Sequence, residues 1–180
     1  MPRIQSILFH VAVYAGAALV IGIPSGGLLC LAIVLAGLSI WISVIDIERF
    51  EIPDIATVLI ALVGLFALAI APGGRVADYL AGLVVWPALF WSVARAYRKY
   101  RGWNGLGFGD VKLIGAIALW TGLAGTATVV LSAALSGIAT LIVLTLIGNK
   151  QTIEFSKSAV AFAPFLCLSA WVVWIDQVAI

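Results

Sequence analysis

Apolar residues run along this chain in long stretches, and the polar residues gather in short gaps between them. Seven runs stand out, at about 5–23, 28–45, 55–71, 77–97, 111–122, 126–147 and 159–176. A membrane-crossing helix needs about 20 mostly apolar residues, and most of the runs approach that length. The gaps carry turn residues, as in Pro24-Ser25-Gly26-Gly27, Ala71-Pro72-Gly73-Gly74 and the segment from Gly122 to Gly125. The pattern predicts an all-α integral membrane protein: a polytopic bundle of about seven transmembrane helices forming one domain over 1–180. The fifth run is short for a full crossing. Either neighbouring helices shield it, or the preceding "GLGFGD" dips into the membrane, where irregular backbone is tolerated only beside protein or a water-filled cavity.

Composition sharpens the class. The chain is 64% hydrophobic and 10% charged, with a mean hydropathy of +1.20. Soluble domains carry about 25% charged residues, so there is too little polar surface here to cover a water-soluble globule. The lipid bilayer is the expected surrounding, and nothing points to a nucleic-acid partner. The net charge of +2 says little, but its distribution says more. With seven crossings, Arg3, Arg49, Arg95, Arg98, Lys99, Arg101, Lys112, Lys150 and Lys157 fall on the side of the N-terminus, and Arg75 falls on the other. Cytoplasmic segments carry the Lys/Arg excess, so the N-terminus is expected in the cytoplasm. The first run has no A-x-A-like cleavage site after it and is expected to be retained.

The acids are not scattered. Asp46, Glu48, Glu51 and Asp54 lie in "DIERFEIPD", Asp110 opens the fifth run and Glu154 precedes the seventh; all six share the cytoplasmic side of this topology. Asp46 ends an apolar run, where the negative end of the helix dipole disfavours a carboxylate by about 0.3–1 kcal/mol. It reads as an interfacial residue or as an acid poised to share a proton. Asp54 follows Pro53 and precedes an apolar run, the position of an N-cap. Glu48, Arg49 and Glu51 read as a solvated loop that could touch a charged substrate segment.

Asp110 could also cap a helix, but Gly105, Gly107 and Gly109 lead into it at every other position. Glycine reaches φ > 0 and lets another chain approach closely, so these residues suggest an acid presented to an extended peptide. Lys112 either pairs with a carboxylate or anchors the interface. Asp46 and Asp110 thus converge on one membrane face. Two close carboxylates cannot both ionise easily; one accepts a proton from water while the other donates to a carbonyl oxygen. Rival hydrolytic machinery is lacking. His10 is the single histidine, in an apolar run, and is expected to be a satisfied interior residue; Cys30 and Cys167 form no C-x-x-C pair. No metal or cofactor is expected.

These residues resemble the type IV prepilin peptidases and, more loosely, the archaeal preflagellin peptidases, within the GxGD aspartic proteases. "DIERFEIPD" is similar to the family's Asp-containing loop ending in Leu/Ile-Pro-Asp/Asn, "GFGDVKL" to its G-x-G-D-x-K-L, and "AFAPFLCLSAW" (161–171) to a late Pro-Phe-Gly-Pro-x-Leu segment. The resemblance implies that Asp46 and Asp110 are the catalytic pair and Asp54 a secondary loop acid. Gly107, Gly109, Lys112, Glu48 and Pro53 would be supporting residues. It also implies removal of the short basic leader from prepilins or pseudopilins at the cytoplasmic face of the bacterial inner membrane. The N-terminal zinc segment of many bacterial members, with paired C-x-x-C motifs and linked to N-methylation, has no counterpart in the sequence; peptidase activity without methyltransferase activity is expected. Ala161 and Ala163 stand where the late motif often has Pro and Gly, and a helix kink is expected at Pro164. The alternative is a non-catalytic scaffold or a transporter, since intramembrane acids also mark ion paths. A transporter would place its acids near the midplane and often show an internal repeat, and neither is seen.

Overall fold

A computed structural model describes residues 3–22, 26–70, 76–102, 107–147 and 161–179. Gly105, Arg75, Lys150, Lys157, Glu154 and the turn residues 23–25 and 71–75 lie outside the described residues. The described chain is helical: α1 (Arg3–Ile21), α2 (Gly27–Arg49), α3 (Asp54–Ile70), α4 (Val76–Arg101), α5 (Phe108–Ile147) and α6 (Ala163–Ala179). Four of them, α1, α2, α4 and α5, are long and apolar enough to cross a membrane, and α3 and α6 are shorter apolar helices. Large side chains face outward along them, such as Leu19, Val20 and Val84. Such a surface is at home in lipid.

Six helices stand where seven runs were expected, because the fifth and sixth runs meet in α5 without a loop. Gly122 separates them, with φ 70° and ψ −179° inside the helix. That left-handed φ is open to glycine at little cost. The two stretches run in opposite directions, as their contacts with α6 show. Near the end of α6, Gln177 donates to the Thr121 carbonyl at 3.2 Å and Trp174 meets the Trp120 ring edge-on at 5.1 Å. Near its start, Phe165 lies against Gly137. The stretch up to Thr121 is therefore parallel to α6, and the stretch from Leu123 is antiparallel to it. Asp78 at the start of α4 holds the reversal by accepting the Leu123 N–H at 3.1 Å.

The short fifth run is shielded by its neighbours. From Val111 to Thr121 nearly every side chain is buried, including Leu113, Ile114, Ile117, Leu119 and Trp120. A helix apolar on all sides belongs in the centre of a bundle, and α3, α4 and α6 pack around it. Lipid tails are as apolar as leucine, so tight packing and interhelical hydrogen bonds must hold the helices together. Indole N–H groups supply three such bonds: Trp86 to the Leu123 carbonyl, Trp120 to that of Ile60 and Trp171 to that of Ala32, at 2.9, 2.9 and 3.0 Å. His10 is buried, with Nδ1 2.8 Å from the Ser6 carbonyl oxygen, as expected of an interior histidine.

Pro164 does not kink a helix. It is the second residue of α6, which starts at Ala163. Proline suits the first turn, where an N–H has no intrahelical partner to lose.

Candidate active site

The end of α2, the starts of α3, α5 and α6, and the end of α4 meet at one end of the bundle. Asp46 lies one turn before the close of α2, where its carbonyl accepts the Phe50 N–H at 2.8 Å. Phe50 ends the helix in the left-handed conformation, φ 55°, which costs a non-glycine residue about 1–2 kcal/mol. That bend turns the chain so that Pro53 and Asp54 can begin α3. The Pro53 carbonyl accepts the Thr57 N–H at 3.1 Å, so Pro53 occupies the cap position and Asp54 is the first helical residue. Asp54 thus lies inside the helix and not at the cap position expected of it.

Asp54 instead binds Lys112, whose Nζ donates to its Oδ1. Between the two readings of Lys112, the structure selects the ion pair. Its ammonium also sits 5.2 Å from the centre of the Phe108 ring. This pair ties the start of α3 to the first turn of α5.

Asp46 and Asp110 line the same open cavity of about 670 Å³, together with Phe50, Ile52, Pro53, Asp54, Gly107, Phe108, Gly109 and Lys112. The two carboxyl groups act on each other electrostatically. Asp46 is 6% exposed, which takes most of it out of water. Its Oδ2 accepts the Ala163 N–H at 3.0 Å, while the Gly107 backbone lies against the Asp110 carboxyl group. Two acids sharing a cavity, one of them steadied by a backbone donor, can divide the work of base and acid on one water and one carbonyl.

The motif glycines act through space. Neither Gly107 nor Gly109 has a positive φ, so conformational freedom is not their use. A Cβ on Gly107 would stand 2.9 Å from Oδ2 of Asp110, and one on Gly109 would stand 3.0 Å from Cβ of Ile52. The close approach they permit is by the protein's own acid and its own loop.

Six of the expected supporting positions fall as follows. Gly107, Gly109, Lys112, Asp54 and Pro53 line the cavity. Glu48 does not; it pairs with Arg3 of α1 at 3.2 Å. Sequence reading missed Phe50, Ile52, Phe108 and Ala163. The "AFAP" segment was noted, but a backbone donor leaves no mark on residue type. Among the described residues no three His, Cys, Asp or Glu side chains gather as a metal site would require.

The model of the type IV leader peptidase family matches residues 33–143, which include both aspartates. Among curated proteins, the chain is 26% identical to a prepilin leader peptidase/N-methyltransferase of Aeromonas hydrophila over 86% of this chain and 52% of that protein. Proteins of the same name from Pectobacterium carotovorum subsp. carotovorum and Burkholderia pseudomallei are 30% and 33% identical, over 76% and 86% of this chain and 48% of each relative. The chain thus spans about half the length of these relatives. No solved structure matches it. With the family model covering more than half of the chain, and Asp46 and Asp110 inside the match, this protein belongs to the type IV leader peptidase family.

Proposed function

We propose that this protein is a membrane aspartic endopeptidase that removes the N-terminal leader from type IV prepilins or pseudopilins. One observation carries the reading: two acids distant in sequence, Asp46 and Asp110, face one open cavity in a chain of this family. One carboxylate takes a proton from water as the water oxygen adds to the scissile carbonyl carbon. The other carboxyl group donates its proton to the carbonyl oxygen. The resulting tetrahedral intermediate collapses by breaking the C–N bond, and the leaving nitrogen takes a proton from the pair. The reading covers leader cleavage alone, of the two activities in the relatives' name.

The protein is read as a single domain of the bacterial inner membrane, crossing it seven times with α5 counted as two passes. Among the described residues, Arg3, Arg49, Arg95, Arg98, Lys99, Arg101 and Lys112 lie toward the helix ends on the cavity's side of the bundle, and Lys112 lines the cavity itself. A Lys/Arg excess favours the cytoplasm, so the N-terminus and the cavity face that side, where Glu51 at its edge suits a basic leader.

The test is processing of a co-expressed prepilin in membranes. Asp46→Asn and Asp110→Asn are expected to abolish cleavage at matched abundance. Asp54→Asn, which loses only an exposed ion pair, should keep activity within about fivefold of native. A native protein that leaves prepilins and pseudopilins whole, or an Asp46→Asn or Asp110→Asn variant that still cuts, refutes the proposal.

A further inference from the structure

The start of α6 carries an unusual distribution of backbone donors. A helix leaves its first N–H groups without intrahelical partners. Here Phe165 and Leu166 both donate to the Phe162 carbonyl, at 3.1 and 3.2 Å, and Pro164 has no N–H. The Ala163 N–H is left over, and it reaches across 117 residues of sequence to Oδ2 of Asp46. Both residues are buried, Ala163 fully and Asp46 at 6% exposure.

The rest of the α2–α6 contact brings that donor to the acid. Ser39, Ser43 and Asp46 recur every three or four positions and form one face of α2; Ala163, Cys167 and Ala170 do the same on α6, with Trp171 four positions after Cys167 on that face. All seven are buried, and most are small enough for the two backbones to approach closely. Trp171 locks the register by donating to the Ala32 carbonyl at 3.0 Å.

We propose that the Ala163 N–H is the positioning group of Asp46: it holds one carboxylate oxygen so that the acid faces Asp110 in the shared cavity. The role belongs to the main chain, and the Ala-Pro sequence concentrates the free donor at a single atom. Proline at 164 supplies no competing N–H, and a small residue at 163 lets the carboxylate come within hydrogen-bond distance. This proposal rests on the peptidase reading above.

The test uses the full chain and two substitutions at one position. Ala163→Pro deletes the donor and puts the ring Cδ in the space the Asp46 Oδ2 contact now fills, so the carboxylate must leave that seat. The helix itself can start there, because position 163 is its first residue, where proline's φ already fits. Ala163→Gly keeps the donor. With a prepilin substrate, Ala163→Pro is expected to lower kcat by about 10- to 100-fold, the scale of a small misplacement of a reacting group, with KM within about twofold. Ala163→Gly is expected to retain near-native kcat. A capping role alone would lower the yield of folded protein and leave the kcat of the folded fraction unchanged. Hydrogen exchange of the 161–166 segment supplies a readout that needs neither activity nor the proline variant. Exchange of the Ala163 amide should be faster in Asp46→Ala than in the native chain, with protection of the rest of α6 unchanged. Native kcat in folded Ala163→Pro, or an Ala163 amide equally protected in Asp46→Ala, overturns the positioning role and leaves the peptidase reading intact. A native protein that cuts no prepilin overturns both.

Discussion

Gly109→Ala tests whether the site depends on the approach of one loop to one helix start. The new Cβ would lie 3.0, 3.3 and 3.4 Å from Cβ, Cγ1 and Cδ1 of Ile52. Carbon atoms rest at about 3.5–4.0 Å, so the nearest contact must open by about 0.5 Å or more. That nearest atom is a Cβ, which no side-chain rotation can move aside. The loop itself must retreat, and Ile52 sits in it between Asp46 and Asp54. Overpacking costs about 1–3 kcal/mol, offset by about 0.5–1 kcal/mol from replacing glycine in a helix. The net loss of stability is then about 0–2.5 kcal/mol, and the protein should still fold. Catalysis is more sensitive: a 1 Å misplacement can cost on the order of 100-fold, so half of that costs about tenfold. The assay is kcat for leader cleavage by purified protein in vesicles, alone and with a second change at position 52. Ile52→Gly removes the clashing Cβ and should restore much of the activity, whereas Ile52→Val keeps it and should not. Native kcat in Gly109→Ala, or equal rescue by valine and glycine, would show that the loop approach does not matter.

Three further outcomes are expected. Gly122→Ala forces a side chain into a φ of 70° and onto Asp78 Oδ2. Left-handed strain of about 1–2 kcal/mol and loss of the Asp78 cap on Leu123, about 0.5–2 kcal/mol, should lower unfolding stability in detergent by about 1.5–4 kcal/mol; an unchanged denaturation midpoint would refute the reversal geometry. Lys112→Met should reduce kcat by no more than about fivefold, since the Asp54 side chain is 70% exposed and that of Lys112 is 39% exposed, leaving the pair within reach of water, and the exchanged pair Lys112→Asp with Asp54→Lys should recover part of the loss; a complete loss in Lys112→Met would instead make Lys112 part of the chemistry. Finally, kcat/KM should follow a bell-shaped dependence on pH. At low pH both carboxyls are protonated and no base remains, and at high pH both are ionised and no acid remains. A rate that stays flat to high pH would contradict the shared proton.

Much of this protein was legible in order of residues alone. Apolar runs, the break at Gly122, the one-sided basic residues and the clustering of Asp46, Asp54 and Asp110 all report local solvent preference, which each residue type carries with it. The same logic marked the fifth run as too short to face lipid unaided. Register and crossing geometry are a different matter, because they are set by which side chains fit together across helices. Only the folded bundle could therefore show that run shielded by its neighbours and pair Lys112 with Asp54. It also moved the cap to Pro53, made Pro164 a helix start and turned Glu48 toward Arg3. The glycines of "GFGD" show the division most clearly. Sequence marks them as places where something comes close. That the close neighbours are Asp110 and Ile52, and that the partner of Asp46 is the bare N–H of Ala163, depends on backbone positions that residue identity does not encode.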